Sequence, residues 1–230
     1  MHKKINVFFL IALILLLDQA LKIYIKTNFE LNTSRHVLGD WFQLFFVENP
    51  GMAYGMKFGG TKGKVALTLF RMAAVIAGTF YILKLVKRKE TPMFIFCVSL
   101  IYAGALGNLI DSCFYGLIFD KGMLFDPVTQ DYNHYYNGLA SYTAGKGYAP
   151  FLHGNVVDML YFPILKGHFP AWFPGWGGED FEFFRPVFNL ADASISSGVA
   201  AILIFNKKMS RQIAIKNEPE NKNNTLEPNN

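Results

Sequence analysis

Charge is what this chain is short of. Only 17% of its 230 residues are Asp, Glu, Lys or Arg, against about a quarter in a soluble domain. Cysteine is nearly absent. Cys97 and Cys113 are the two, and on one helix they stand roughly 24 Å apart at 1.5 Å per residue, too far for a disulfide. No Cys-x-x-Cys or Cys/His spacing suggests zinc. The five histidines (His2, His36, His134, His153 and His168) are scattered, so neither a metal nor a cofactor is expected. The net charge is +5, but the basic residues are not interleaved with aromatics on a polar face, so nucleic acid is not an expected partner. They sit instead beside apolar runs, a placement that suits lipid headgroups and topology control. Ser194, Ser196 and Ser197 lack a His or Lys placed to activate them, which argues against a serine nucleophile.

What the chain does have is apolar bulk: 52% hydrophobic residues, with 23 Phe and 11 Tyr. Four segments are long enough to cross a bilayer, which takes about 20 residues. They run over residues 5–25, 64–86, 92–111 and 187–205. The first resembles a secretory signal, but Asp18, Gln19 and Lys22 follow its apolar run and no small-x-small cleavage site does, so it reads as a retained span. Lys3 and Lys4, then Lys84, Lys87, Arg88 and Lys89, then Lys207, Lys208 and Arg211 all fall on one side of this arrangement, which makes that side cytoplasmic. Both termini are then inside, and the long loops, 26–63 and 112–186, are outside.

Trp41 to Val47 alternates weakly and reads as strand, and Pro50, Gly51, Gly55, Gly59 and Gly60 punctuate the stretch beyond it. The second loop has a polar Tyr/Asn/Gly-rich stretch over 120–148 and an aromatic stretch over 169–176 suited to the bilayer interface. The expected fold is an all-α membrane protein. It has four transmembrane helices, both termini cytoplasmic, and a small extracytoplasmic β-sheet in the first outer loop. One integral membrane domain covers 1–211 and a disordered cytoplasmic tail covers 212–230.

Acids occur where a span should not carry them. Asn108-Leu109-Ile110-Asp111 closes the third span and Asn189-Leu190-Ala191-Asp192 opens the fourth. Positions three apart share a helix face, so each phrase sets an amide beside a carboxylate at the outer mouth of a span, where ionisable groups are costly and functional. Asp158, flanked by Val156-Val157 and Met159-Leu160, is expected to dip from the second loop into the same layer. Asp18 lies in the outer half of span one with Lys22 one turn on, an i,i+4 pair. Two carboxylates in low dielectric share a proton, the state in which one activates water and the other donates a proton. The amides of Asn108 and Asn189 can orient them. Ion-pairing or capping roles compete with this reading, and the residues alone leave open an enzyme, a proton-coupled transporter or assembly factor, and a structural membrane protein. Arg71, inside span two, is expected to snorkel outward. Gly104, Ala105 and Gly107 lighten one face of span three for close helix approach.

Taken together, these stretches resemble the lipoprotein signal peptidases (signal peptidase II), four-span aspartyl peptidases of the bacterial inner membrane. Asp18-Gln19-Ala20-Leu21-Lys22 is similar to the family's D-Q-x-x-K, and Asn49-Pro50-Gly51-Met52-Ala53-Tyr54 to its N-x-G-x-A-aromatic. Gly104 to Asp111 is similar to G-x-x-G-N-x-x-D, Val156-Val157-Asp158 to V-x-D, and Phe188 to Asp192 to F-N-x-A-D. The resemblance implies removal of signal peptides from diacylglyceryl-modified prolipoproteins, just before the lipidated cysteine, at a site near the periplasmic face. It implies prolipoproteins and membrane lipids as partners and no cofactor. Position by position, Asp158 and Asp192 become the catalytic pair. Asn49, Gly51, Asn108, Asp111 and Asn189 become residues that hold substrate or orient the pair. Asp18, Lys22, Ala53, Gly107 and Ala191 become supporting residues, and the first outer loop becomes a small sheet that cradles the substrate.

The chain departs from the family in two places. Ser112 stands where the family has a substrate-contacting arginine, so either Lys121, Lys166 or Arg185 substitutes for it or the contact is lost. An insertion of several tens of residues separates Asp111 from Asp158, and it brings Asp120, Asp126 and Asp131 as rival acids. Only Asp158 has apolar flanks. Such an insertion is tolerated where its ends meet, and lid, docking surface and anchor are its candidate roles.

Overall fold

A computed structural model describes residues 6–51, 60–129, 131–143, 145–183 and 185–217. The chain begins with α1 (Val7–Asn28), capped by Asn6, whose Oδ1 accepts from Phe9 N at 3.3 Å. Strands β1 (Ser34–Leu38) and β2 (Phe42–Asn49) follow, then α2 (Gly60–Lys87) and α3 (Pro92–Ile110). Pro92 starts α3 where its missing N–H costs nothing. A π-helical turn (Asp111–Tyr115) and the short α4 (Gly116–Ile118) extend α3. The hairpin β3 (Leu124–Asp126) and β4 (Asp131–His134), strand β5 (Val156–Tyr161), the hairpin β6 (Leu165–His168) and β7 (Asp180–Phe183), and α5 (Leu190–Asn217) complete the order.

Three helical stretches, Val7–Asn28, Gly60–Lys87 and Pro92–Ile118, are long and apolar enough to cross a membrane; the apolar part of α5, Leu190–Phe205, is shorter. Phe8, Phe9 and Leu16 on α1, Phe70 and Phe80 on α2, and Leu203 and Ile204 on α5 point outward, while Asp18, Lys22, Asn108, Asp111 and Asn189 are buried. Apolar surface outside and ionisable groups inside is the inverse of a soluble fold, and it fits a hydrocarbon solvent.

α3 packs against α1, α2 and, most extensively, α5. Glycine makes the α3–α5 approach possible: a Cβ at Gly104 would collide with the Ala191 carbonyl oxygen and lie 2.7 Å from Ile195 Cγ1. Gly104→Val is therefore expected to destabilise by about 1–3 kcal/mol through overpacking, with Gly104→Ala intermediate. Thermal unfolding in detergent measures this, and equal stability of all three proteins would refute the close approach.

The sheet is antiparallel, in the order β1-β2-β5. The expected first-loop sheet is present, but it takes its third strand from the second loop, and that strand carries Asp158. Asp158 is thus held by a β-ladder opposite Val47 rather than dipping from a loop, and alternation along β2 gives the sheet two different faces. Val47, Asn49 and Asp158 share one. Phe46, Glu48, Val157 and Met159 share the other, where Phe46, Val157 and Met159 pack with Ile25, Phe29, Tyr115, Phe119 and Ala140 in the main apolar core.

The insertion closes at its base. Gly154 N donates to Ser112 O at 2.9 Å, Leu152 N to Cys113 O at 3.3 Å, Ala149 N to Gly116 O at 3.0 Å and Tyr148 N to Phe119 O at 3.0 Å. Its ends therefore meet, and β5 is delivered next to Asp111 whatever lies between. Cys97 and Cys113 are free and buried. One boundary is corrected: α5 continues to Asn217, where a disordered tail was expected from 212. Residues 218–230 of the expected tail lie outside the described residues.

Candidate active site

Asp158 and Asp192 come together through Asn189. On β5, Asp158 is 4% exposed. Its Oδ1 accepts from Asn189 Nδ2 at 2.7 Å and its Oδ2 from Asn49 Nδ2 at 3.3 Å. Asp192 lies half-buried in the first turn of α5, and its Oδ1 accepts from Asn108 Nδ2 at 2.7 Å. Asn189 caps α5: its Oδ1 accepts from Asp192 N at 2.8 Å, while Asp192 Oδ2 lies 3.5 Å from Asn189 N. The second Asn-x-x-Asp phrase is thus a capping box whose acid serves two ends, the helix and the site. Asn189 Nδ2 also donates to Asn108 Oδ1 at 3.1 Å, so the two amides lock each other's orientation.

Gly51 fixes Asn49. Its N–H donates to Asn49 Oδ1 at 2.8 Å, which turns the Asn49 NH2 toward Asp158. At φ +99 the backbone favours glycine, and a Cβ would lie 2.9 Å from Leu67 Cδ2.

Asp111 faces Lys22 and Gln19. Lys22 Nζ lies 2.8 Å from Asp18 Oδ2, 2.7 Å from Asp111 Oδ2 and 2.9 Å from Asn108 Oδ1, all buried. Gln19 Nε2 donates to Asp111 Oδ1 at 2.8 Å, and Gln19 Oε1 accepts from Tyr115 OH at 3.1 Å. Asp18 Oδ1 accepts from Ala191 N at 2.9 Å, so this cluster also holds the start of α5. A Cβ at Gly107 would lie 2.8 Å from Asp18 Oδ2, which keeps that position small. Ala53 lies outside the described residues.

Burial first, then the Asp192 charge, pushes the Asp158 carboxyl up to about 8, against the pull of Lys22, Asn49 and Asn189. The rival acids are elsewhere and serve loops. Asp120 accepts from Ser141 N, Asp126 from Val128 N and Asp131 from Tyr132 N. Among the described residues no group of three or more His, Cys, Asp or Glu is placed to hold a metal.

Ser112 has a cation beside it that is not among the three expected. Lys121 Nζ donates to Asn137 O within the insertion. Arg185 lines a cavity with Gly167, His168 and Asp180 at the β6–β7 hairpin, and Lys166 is on β6 of the same hairpin. The cation beside Ser112 is Arg71, whose Nη1 donates to Ser112 Oγ at 3.2 Å. Arg71 thus reaches a buried hydroxyl at the end of α3, within the field of Asp192, Asp111 and Asp158.

Sequence reasoning also missed a polar cluster on the other sheet face. Glu48 pairs with Lys26 and accepts from Met123 N at 2.7 Å, Asn155 Nδ2 at 2.7 Å and Tyr136 OH at 2.8 Å. Lys64 bonds Asn155 Oδ1. Lys26, one turn beyond Lys22, and Glu48, next to Asn49, were the only signals in the chain.

A family model described as signal peptidase (SPase) II matches residues 10–207. The chain is 46% identical over 197 residues to the lipoprotein signal peptidase of Porphyromonas gingivalis, covering 85% of this chain and 80% of that protein. It is 36% identical over 216 residues to that of Amoebophilus asiaticus, covering 92% and 82%. A bacterial membrane enzyme solved by the in meso method at 2.3 Å resolution has a similar fold, with a TM-score of 0.54, 21% identity, and coverage of 97% of this chain and 98% of that one.

Proposed function

The chain belongs to the signal peptidase II family, and we propose that Asp158 and Asp192 are its catalytic pair. It is a membrane peptidase that removes signal peptides from prolipoproteins. The observation that carries the assignment of the pair is the Asn189 bridge, with one carboxylate on its Nδ2 and the other in its capping box. The buried Asp158 holds the shared proton and the more exposed Asp192 carries the charge. Asp192 draws a proton from water as the water attacks the scissile carbonyl, and Asp158 protonates the carbonyl oxygen. Asn49, Asn108 and Asn189 orient the pair. Asp111, Asp18 and Lys22 brace it.

The apolar part of α5 forms a fourth span beside the other three. The basic clusters support a topology with both termini in the cytoplasm; in this reading the sheet and the site lie at the periplasmic face of the bacterial inner membrane. The substrate is the diacylglyceryl-modified precursor, cut before its lipidated cysteine, with its acyl chains entering sideways from the outer leaflet. No observation favours the transporter alternative.

The test is incubation of the purified protein in detergent, without any ion gradient, with a diacylglyceryl-modified precursor, followed by mass measurement of the products. Cleavage just before the modified cysteine is expected, and an intact precursor would sink the reading.

A pH dependence follows from Asp158, pushed up to about 8. Above that pH the pair loses its proton, so kcat/KM is expected to fall about tenfold per pH unit. The sign for stability is the same. The folded state keeps a proton that the unfolded carboxyl releases near pH 4, so this group's contribution falls as pH rises from about 4 to about 8. A pH–rate profile flat to pH 10 would contradict the assignment.

A further inference from the structure

Arg71 occupies an apolar helix that crosses the membrane, where a guanidinium is costly and faces a partner or a polar cavity. Its Nη1 donates to Ser112 Oγ at 3.2 Å, and Ser112 Oγ in turn donates to Asn108 O at 2.9 Å. On its other side the same nitrogen would lie 3.6 Å from a Cβ built on Gly51. Ser112 follows Asp111, and Gly51 orients the Asn49 that holds Asp158. The guanidinium therefore sits between the end of α3 and the turn after β2, within the field of Asp192, Asp111 and Asp158.

The cations around it are used differently. Lys22 is shared by Asp18 and Asp111, and Lys26 is paired with Glu48. Among the described residues Arg71 has no ion pair, and its hydrogen bond to Ser112 employs one of five N–H donors. A half-buried planar fork with donors to spare, within the field of Asp158 and Asp192, can receive an oxygen that arrives with the substrate. A lipid-modified precursor brings carbonyl oxygens, which shed water on entering the membrane and need donors there.

We propose that Arg71 is a substrate-binding residue that donates from its guanidinium to a carbonyl oxygen of the lipid-modified precursor at the cleavage site. The inference rests on the peptidase reading of Asp158 and Asp192. The carbonyl has two sources, the peptide backbone near the scissile bond and the esters of the diacylglyceryl group. The guanidinium is offered from the membrane-crossing α2 rather than from the sheet, which favours the ester.

The test is steady-state cleavage by the full-length protein in lipid nanodiscs. It uses the diacylglyceryl-modified precursor and an analogue whose two esters are replaced by ethers. Arg71→Gln is expected to raise KM roughly 10- to 100-fold, the loss of a charge-assisted hydrogen bond. Arg71→Lys should recover only part, because an ammonium is a point charge without the planar fork. For both variants kcat and the alkaline limb of the pH profile should match wild type. Arg71→Gln combined with Ser112→Arg, which supplies a guanidinium from the other side of the same contact, should lower KM again. If the ester is the ligand, wild type prefers ester over ether and Arg71→Gln loses that preference; if a peptide carbonyl is the ligand, the KM increase is the same for both substrates.

Two results overturn the proposal while wild type still cleaves. In one, both variants keep wild-type KM. In the other, Arg71→Lys is normal while Arg71→Gln loses kcat and shifts the alkaline limb upward, which makes Arg71 only a counter-charge to the pair. A wild-type protein that leaves the precursor uncut overturns the peptidase reading, and the Arg71 role with it.

Discussion

Asp192→Asn is expected to lower kcat for precursor cleavage by at least roughly 10³-fold while leaving the protein folded, since general acid–base catalysis by a positioned group contributes about 10²–10⁴ and the pair acts as a unit. The substitution is close to isosteric. The oxygen that accepts from Asn108 Nδ2 survives in the amide, and the bond from position 192 N to Asn189 Oδ1 belongs to the backbone. What disappears is the ability to take a proton from water, together with the long contact of Oδ2 with Asn189 N at 3.5 Å. Asp158→Asn should be equally inactive but somewhat less stable. Both Asp158 oxygens accept from amide NH2 groups, of Asn189 and Asn49, so a new NH2 must face one of them, donor against donor. Asp111→Asn is the contrasting control. It weakens the Lys22 cluster, so its activity should fall together with thermal stability. If Asp192→Asn keeps full activity, Asp192 is not in the pair; if Asp111→Asn is inactive at unchanged stability, Asp111 has been misplaced among the braces.

The parts of this site that could be read in the sequence are those with local signatures. The apolar runs gave the helices. The Asn-x-x-Asp spacing marked two helix ends at one depth, and Asp18 with Lys22 was legible as an i,i+4 pair. The meaning of the repeat was less accessible. The second copy is a capping box at the start of α5, whereas the first closes α3 and sends its acid to Lys22. One pattern does two jobs because a helix start offers free N–H groups and a helix end does not. The strand carrying Asp158 was hidden for a different reason. Val156 to Leu160 is a short apolar run whose strand character shows only when it pairs with β2, more than a hundred residues earlier. Arg71 was misread for the same reason: its partner, Ser112, is reached by folding and not by spacing.

Glu48→Ala is expected to be the most destabilising single change outside the catalytic pair. Glu48 is buried on the sheet face opposite Asp158, and its acceptor oxygens serve α1 through Lys26 and the insertion through Met123 N, Asn155 and Tyr136. Around Lys26 stand the rings of Phe46, Phe119, Tyr136 and Tyr148, at 5.1 to 5.9 Å from its Nζ. Three of those rings belong to the insertion, so one buried ion pair ties the insertion to the membrane helices. This contact speaks against a freely opening lid. Removing the carboxylate strands the ammonium among them, a loss of about 3–5 kcal/mol for breaking a buried pair. For a chain of this size that is on the order of 10 °C in unfolding temperature. Burial raises the Glu48 pKa, but Lys26 and the hydrogen bonds from Met123 N and Asn155 more than offset it, so its carboxyl lies below the usual range. An acid shifted this way adds stability above its unfolded pKa near 4.5 and loses it as pH falls through the folded value. The wild-type advantage over Glu48→Ala should therefore shrink on acidification below about pH 4.5. Because the penalty comes from the orphaned charge, Lys26→Met combined with Glu48→Met should be more stable than Glu48→Ala alone. A Glu48→Ala protein that unfolds at the wild-type temperature, or a double variant worse than either single one, would show that the insertion is held by its apolar contacts and not by this pair.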